Sequence, residues 1–199
     1  MSARNRRVVV SGLGCVSPLG GDVETTWLGA VTGRSGIGPI QHFDASDFPV
    51  RFAGEVDGAL DLGDVPVKEA RRLDRAVALA VAAAREAVAD CGIDLGAADC
   101  DRIGVAIGSG IGGVGTLQAA IEVLAKRGPG RVNPFTIPMS IANMPAGFVA
   151  IRHGLRGPNL CHVSACASGA HSIGEAARGG AGPGGSLEAA RAASRPAAT

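Results

Sequence analysis

The residue in this sequence with the clearest chemical potential is Cys166, in the run Val-Ser-Ala-Cys-Ala-Ser-Gly over 163–169. An apolar, strand-like segment precedes it and a helical pattern follows, so we expect Cys166 to open a helix. There the thiol lies among unpaired backbone N–H groups at the positive end of the helix dipole. Such groups stabilise the thiolate, the reactive form of cysteine, and can hold a developing oxyanion. From this local pattern alone, a buried and inert cysteine is an equally good interpretation.

A second motif, Gly-Ser-Gly-Ile-Gly-Gly over 108–113, has the spacing G-x-G-x-x-G between a predicted strand and a predicted helix. Dinucleotide binding also requires an acidic residue about 20 positions further on, at the end of a second strand. The corresponding region, 128–132, contains no acid, and Glu122 lies earlier, inside the helix. The plain alternative is a tight strand-to-helix turn in which glycines permit close packing. Dinucleotide binding is therefore the weaker functional hypothesis.

A metal centre is not expected. Cys166 and His171 are five residues apart, which on a helix places them about 140° apart around its axis, and Cys161 adds no C-x-x-C pair. We therefore predict no metal site.

Length and composition are typical of a globular protein. The chain has 199 residues, 46% hydrophobic and 19% charged, and its net charge of +1 provides no field to gather nucleic acid or an anionic membrane. Five Phe, one Trp and no Tyr are too few for base-stacking platforms. The longest apolar run, 76–84, is far shorter than the roughly 20 residues of a membrane span. Five irregularly spaced cysteines argue against a disulfide framework, so we expect a reducing, cytoplasmic environment.

Strand and helix patterns alternate along most of the chain. The predicted elements are a strand over 7–11, a helix capped by Asp22 and ended by Gly33, an edge strand within 48–56 that contains Pro49, a helix over 71–91 ended by Gly92, a strand over 103–107, a helix over 116–127, a loop around 133–138, a helix over 141–152 bent at Pro145, a strand over 160–165 and a helix over 166–178. This order predicts an α/β layered fold with much parallel pairing.

The composition changes at Gly179. Of the 21 residues over 179–199, 14 are Gly, Ala or Pro, and Leu187 is the one large apolar residue. We therefore expect one domain over 1–178 and a disordered Gly/Ala-rich tail over 179–199.

Several motifs, in order, resemble the β-ketoacyl-acyl carrier protein synthases, condensing enzymes of the thiolase fold. The segment Ala165-Cys166-x-Ser168-Gly169-x-His171-x-Ile173-Gly174 is similar to the nucleophile segment of that family. The other matching segments are Val8–Gly14 with Ser17–Gly20, Gly108–Gly113, Pro134-Phe135-x-x-Pro138, Ile141-x-Asn143-Met144 and Gly154–Pro158. The resemblance covers about residues 6–178 and is strongest to the type II fatty-acid elongation synthases and type II polyketide ketosynthases.

The resemblance implies the N-terminal half of a thiolase-like fold, with a mixed, mostly parallel sheet, and no cofactor. Cys166 would take an acyl group from acyl carrier protein as a thioester, and malonyl-carrier protein would then condense with it after losing carbon dioxide. Ile111 and Ala165 would line the acyl pocket. Phe135 would approach the pocket of a partner subunit, since the family is dimeric. Thr136 stands where relatives often have a second aromatic residue, so the resemblance leaves the acyl chain length open.

The sequence also departs from the family pattern. In the family, a second half supplies two histidines, a lysine and the second oxyanion-hole amide, and none of the histidines here, at 42, 153, 162 and 171, matches that pair. Two hypotheses follow. In the favoured one, the chain is a truncated or frameshifted ketosynthase that is inactive in condensation by itself. In the other, it is a noncatalytic dimerisation or interaction half-domain.

Overall fold

The structure of the protein, a computed structural model, describes residues 8–56, 58–181 and 186–188. The helices in this described part are α1 (Val23–Val31), α2 (Val67–Ala70), α3 (Arg75–Cys91), α4 (Val114–Arg127), α5 (Thr136–Ser140), α6 (Met144–His153) and α7 (Ser168–Ala181). Its strands are β1 (Ile37–Pro39), β2 (Phe52–Gly54), β3 (Ile103–Ala106), β4 (Asn159–Leu160) and β5 (Ser186–Glu188), and short 3₁₀ turns cover Cys100–Arg102, Pro129–Arg131 and Ala165–Ala167.

A three-stranded parallel sheet with the order β4-β3-β5 forms the centre of the fold. Val105 of β3 is opposite Asn159 of β4, and Ile103 is opposite Ser186 of β5. All four residues of β3 are buried, as its continuous apolar sequence predicts for a central parallel strand. β1 and β2 form a separate antiparallel pair. The mixed, mostly parallel α/β architecture predicted from the sequence is thus confirmed.

The main core lies where α3 and α6 pack against β3. It consists of Val65, Val77, Ala80, Val81, Ala84, Val105, Ile107, Ala146, Phe148 and Val149. The alanines in it are at most 2% exposed, and their small side chains let the two helices approach the strand closely. The face of α3 that the periodicity predicts to be apolar packs in this core, and Leu79, Ala82 and Ala83 are buried in a second cluster with Val16.

Helix boundaries agree with the capping signals of the sequence. The side chain of Asp22 accepts a hydrogen bond from the Thr25 amide at the start of α1. Asp74 does the same for Ala76 at the start of α3, and Gly92 ends α3 in the left-handed conformation. Pro145, expected to bend a helix, instead lies in the first turn of α6, where its missing N–H costs no hydrogen bond.

Three predicted elements differ in the structure. The described residues of the N-terminal segment, 8–11, are not a strand, and Val9 and Val10 are nearly 80% exposed. The segment is attached to α3 instead, because the Leu13 amide donates to Asp90 and the Cys15 amide donates to Glu86. A strand needs a partner for its backbone groups, and no described strand pairs with this segment. The edge strand predicted within 48–56 shortens to β2, and the loop predicted around Pro138 contains α5.

Part of the predicted tail, residues 179–181 and 186–188, lies within described elements. α7 continues to Ala181, and Ser186–Glu188 form β5, which pairs with the buried strand β3. A local pattern in the sequence does not show the register of these three residues against β3. Residues 182–185 and 189–199 of the tail lie outside the described residues.

Candidate active site around Cys166

Two turns emerge together at the carboxyl edge of the parallel sheet. The Ile107 amide donates to the Leu160 carbonyl at 3.1 Å, and the Ser109 amide donates to the His162 carbonyl at 3.2 Å. Parallel pairing thus continues beyond the ends of β3 and β4. It brings residues 108–113, here called the glycine turn, beside residues 164–168, here called the cysteine turn. The carboxyl edge of a parallel sheet is where ligands usually bind in α/β proteins.

Cys166 lies in the middle of the 3₁₀ turn that leads into α7, and its side chain is exposed. The helix itself begins at Ser168, two residues later than predicted. Within the described part of the chain, the backbone N–H of Cys166 has no hydrogen-bond acceptor. An exposed thiol next to a free amide can attack a carbonyl carbon and then bind the resulting oxyanion.

Three hydrogen bonds that involve side chains hold the cysteine turn, and the Ala167 amide also closes it by donating to the Ser164 carbonyl at 3.0 Å. The Ser164 amide donates to Ser168 Oγ at 2.9 Å, and Ser168 Oγ donates to the Ala165 carbonyl at 2.7 Å. Ser164 Oγ and His171 Nδ1 are 2.6 Å apart. Ser168 is 3% exposed, so its hydroxyl makes these bonds away from water. His171 therefore orients the turn through Ser164.

The glycine turn packs against the cysteine turn at backbone distance. A Cβ on Gly108 would be 2.2 Å from the Ser168 carbonyl oxygen, and one on Gly110 would be 3.7 Å from the Ala165 Cα. Gly112 has a φ of +82°, and a Cβ there would be 2.6 Å from the Ser140 carbonyl oxygen. These glycines are therefore explained by close packing between segments, as the plain interpretation of the motif proposes.

Three of the six amides of the glycine turn donate to protein groups. Ser109 donates to the His162 carbonyl, Gly112 donates to Ser109 Oγ at 2.9 Å, and Gly113 donates to the Ser140 carbonyl at 2.9 Å. A phosphate-binding turn directs such N–H groups at its ligand. This geometry disfavours dinucleotide binding.

The residues expected to line an acyl pocket surround these two turns. Ala165 is adjacent to Cys166 and faces Gly110, and Ile111 follows Gly110 with 57% of its surface exposed. Phe135 precedes α5 and is 59% exposed. The structure connects α5 to the glycine turn through the bond from Gly113 to Ser140. It places Ala165 in the cysteine turn, Ile111 in the glycine turn and Phe135 beside α5, and the surfaces of Ile111 and Phe135 are open to solvent.

The other cysteines differ from Cys166 in their surroundings. All five are free, and Cys166 is the exposed one. Cys161 donates its S–H to the Ala142 carbonyl, and burial raises the pKa of the Cys161 thiol, although a backbone hydrogen bond from Ser109 partly opposes this. In the described part of the chain, no three His, Cys, Asp or Glu side chains are grouped as metal ligands.

Sequence reasoning assigned no role to Ser164 or Ser168. Both are small polar residues four positions apart on either side of the cysteine, a spacing that a hydroxyl can bridge. That spacing was the available sequence signal for a hydrogen bond between Ser164 and Ser168. The close approach of Gly108 to Ser168 had no local signal, because the two residues are 60 positions apart in the chain.

The mixed, mostly parallel α/β fold, with an exposed cysteine on a strand-to-helix turn, is that of a thiolase-like protein. Residues 5–179 match the family model described as β-ketoacyl synthase, N-terminal domain, and the chain belongs to that family.

Curated relatives and solved structures agree with this assignment. The 3-oxoacyl-[acyl-carrier-protein] synthase 2 of Synechocystis sp. is 46% identical over 173 residues, and that of Staphylococcus aureus is 47% identical over 174. Both matches cover 87% of this chain and 42% of the relative. A crystal structure of a β-ketoacyl synthase from Burkholderia phymatum superposes with a TM-score of 0.77 at 28% identity, over 90% of this chain and 45% of that one.

A more distant structure shows the same fold. It is a type II polyketide synthase acyl-carrier protein in complex with its ketosynthase, and it matches with a TM-score of 0.74 at 18% identity over 94% of this chain and 51% of that one. The chain thus spans about half, or slightly less, of the length of the proteins it matches. Among the described residues, no helix is long and apolar enough to cross a membrane.

Proposed function

We propose that this chain carries the nucleophile-bearing part of a 3-oxoacyl-acyl carrier protein synthase of fatty-acid or type II polyketide synthesis. The observation that carries the proposal is the exposed Cys166 on the turn that follows the parallel sheet, with an amide that has no acceptor among the described residues. The names of the relatives, which are 44 to 47% identical to it, support the same reaction class.

In the proposed first step, Cys166 Sγ attacks the carbonyl carbon of an acyl-carrier thioester. The Cys166 N–H donates to the oxyanion that forms, and the carrier thiol leaves with a proton as the acyl-cysteine thioester closes. In the second step, a malonyl-carrier thioester loses carbon dioxide, and its carbanion displaces Cys166 from the acyl group. The partner is therefore acyl carrier protein, and the proposed site is cytoplasmic, where five free thiols remain reduced.

For the 199-residue polypeptide we propose the first step without the second. Its described histidines do not lie free beside Cys166: Ser164 holds His171, and Ser172 Oγ lies 3.1 Å from His162 Nδ1. The contacts of the cysteine turn with the other described residues include no further side chain that could assist decarboxylation. Condensation would require groups supplied from elsewhere.

Intact-protein mass spectrometry tests the first step. The purified polypeptide is incubated with octanoyl-acyl carrier protein, and one acyl group is expected on Cys166, located by peptide mapping. Cys166→Ala abolishes it, whereas Cys91→Ala, which changes a cysteine of α3, leaves it unchanged. Acylation that survives in Cys166→Ala contradicts the proposal. Radiolabelled malonyl-carrier protein tests the second step. Cys166-dependent release of carbon dioxide would contradict the proposal that this polypeptide performs the first step without the second.

We also propose that the chain binds a second copy of itself. Both the synthase hypothesis and the dimerisation-module hypothesis expect this association. α4 carries an exposed apolar stripe of Val114, Leu117, Ile121 and Leu124, each 43 to 57% exposed. These residues recur at steps of three and four, so they share one helix face, and the stripe begins three residues after Ile111. An exposed apolar stripe of this kind is typical of a protein–protein contact.

Sedimentation velocity tests the association. The double variant Leu117→Glu with Ile121→Glu is expected to sediment as a monomer at concentrations where the unchanged chain is a dimer. Lys126→Glu is the control, because it changes the net charge by the same two units on the opposite side of α4. If the double variant sediments like the unchanged chain, the stripe is not the interface. If it is monomeric but acylates normally, the module and the enzymatic roles are separate.

A further inference from the structure

The backbone at Ala165, next to the nucleophile, has a φ of +50°. Among the described residues, it is the one non-glycine residue with a positive φ. The Cβ makes this conformation unfavourable, and it persists only where the surrounding structure enforces it. Something in the fold must therefore hold Ala165, and with it the direction of Cys166.

The group in position to do so is the hydroxyl of Ser168. It accepts from the Ser164 amide and donates to the Ala165 carbonyl, so it bonds to the backbone on both sides of the Ser164–Ala165 peptide. Its burial protects both bonds from competition with water. The Ser164–His171 pair makes a further connection to α7, but His171 is exposed.

We propose that Ser168 is a positioning residue that holds Ala165 in its left-handed conformation and thereby fixes Cys166 for attack. This inference deepens the proposed acyl transfer and rests on it for its catalytic meaning. Its structural content, that the Ser168 hydroxyl controls the reactivity of Cys166, does not depend on the acyl substrate. Ser168 contacts neither the thiol nor a substrate in this proposal and acts through the backbone.

The chain offers a matched control on the same helix. Ser172 is one turn further along α7, is 1% exposed, and its hydroxyl bonds to His162 and not to the cysteine turn. Ser168→Ala and Ser172→Ala thus each remove a buried hydroxyl from one helix. A general effect on the stability of α7 would appear in both variants, whereas control of the cysteine turn would appear in Ser168→Ala alone.

A second variant tests the mechanism. Glycine adopts a positive φ without the steric cost of a Cβ. Ala165→Gly should therefore make the turn less dependent on Ser168. The double variant Ala165→Gly with Ser168→Ala is expected to recover most of the Cys166 reactivity that Ser168→Ala loses.

The primary readout is the rate at which Cys166 Sγ displaces iodide from iodoacetamide, measured by peptide mapping on the full chain. Ser168→Ala is expected to slow the alkylation of Cys166 about tenfold, in line with the cost of misplacing a reacting group. The alkylation rate of Cys161 in this variant, and that of Cys166 in Ser172→Ala, should show no such change. The octanoyl-carrier assay adds a second readout. The maximal acylation rate should fall with little change in the half-saturating carrier concentration.

The outcomes separate this inference from the proposed function. If the unchanged chain is not acylated but Ser168→Ala still slows alkylation and Ala165→Gly restores it, the positioning role stands and the proposed function fails. Three results would each overturn the positioning role. The Cys166 alkylation rate in Ser168→Ala could stay within twofold of that in the unchanged chain. Ser172→Ala could lose as much of this rate as Ser168→Ala, or the double variant could fail to recover it. If Ser168→Ala does not fold, folding of the double variant supports the inference, and failure of both variants to fold overturns it.

Discussion

Gly108 and Ser168 are in contact through their backbones, so close that a Cβ on Gly108 would lie 2.2 Å from the Ser168 carbonyl oxygen. This contact joins the end of the central strand to Ser168, the first residue of the helix that follows Cys166. It explains why a glycine is required in a motif that otherwise resembles a nucleotide-binding turn. It also makes the cysteine turn sensitive to changes in a segment 60 residues away.

Gly108→Ala is therefore expected to destabilise the protein by about 1–3 kcal/mol, because the obstacle is backbone that cannot rotate away. Gly147→Ala is the matched control. Gly147 lies within α6, and nothing lies within 4 Å of where its Cβ would be. That variant should be more stable by about 0.5–1 kcal/mol, since alanine is the better helix former. Urea unfolding followed by circular dichroism measures both, and equal effects of the two changes would contradict the packing argument.

Asp74→Ala is expected to cost about 3 kcal/mol, measured as the free energy of unfolding in urea. Asp74 caps α3 through the Ala76 amide, and its second oxygen accepts from both the amide and the hydroxyl of Thr116 at the start of α4. The cost combines a lost cap with donors of Thr116 left unpaired. Asp22→Ala, which removes an exposed cap from α1, should cost clearly less. A loss for Asp74→Ala no greater than that for Asp22→Ala would show that the link to α4 contributes nothing.

Cys161 should be alkylated more slowly than Cys166 at neutral pH. Burial raises the pKa of the Cys161 thiol, so less of it is present as thiolate at a given pH, whereas Cys166 is exposed. The alkylation rate of Cys161 should still be rising above pH 8.5, the ordinary pKa of a thiol being about 8.5. Peptide mapping after timed iodoacetamide pulses between pH 6 and 10 follows both residues. A Cys161 rate that levels off below pH 8.5 would contradict its burial.

His153 should make the protein less stable as the pH falls. Burial lowers the pKa of His153, with the charge of Arg152 acting in the same direction and Asp64 opposing both. The unfolded chain therefore binds the proton more readily than the folded one. The stabilisation is complete above the unfolded pKa of about 6.5 and is lost as the pH falls toward the lower folded pKa.

The comparison of urea midpoints at pH 7.5 and pH 5.5 tests this. His153→Gln is expected to lose less stability between the two values than the unchanged chain does. The control is His42→Gln, which removes a histidine from the exposed surface. If the His153 variant and the unchanged chain lose stability equally, burial of this imidazole has no part in the pH dependence.

Local patterns in the sequence indicated the longer helices, the central strand and the candidate nucleophile Cys166. Asp22 and Gly92 act through neighbours within a few positions, so the helix start at Asp22 and the helix end at Gly92 could be predicted. The apolar run of β3 indicated burial on both faces for the same reason. Several motifs in the family's order also indicated the family, which the match over residues 5–179 confirms.

Only the tertiary structure decided how Cys166 is held and what its neighbours do. The left-handed backbone at Ala165 and the role of Ser168 depend on hydrogen bonds whose geometry no periodicity encodes. The N-terminal valines have strand propensity, yet they form no strand among the described residues, because pairing depends on a second segment. Residues distant in the chain meet at the site, and contacts of that kind are set by the packing of the whole fold.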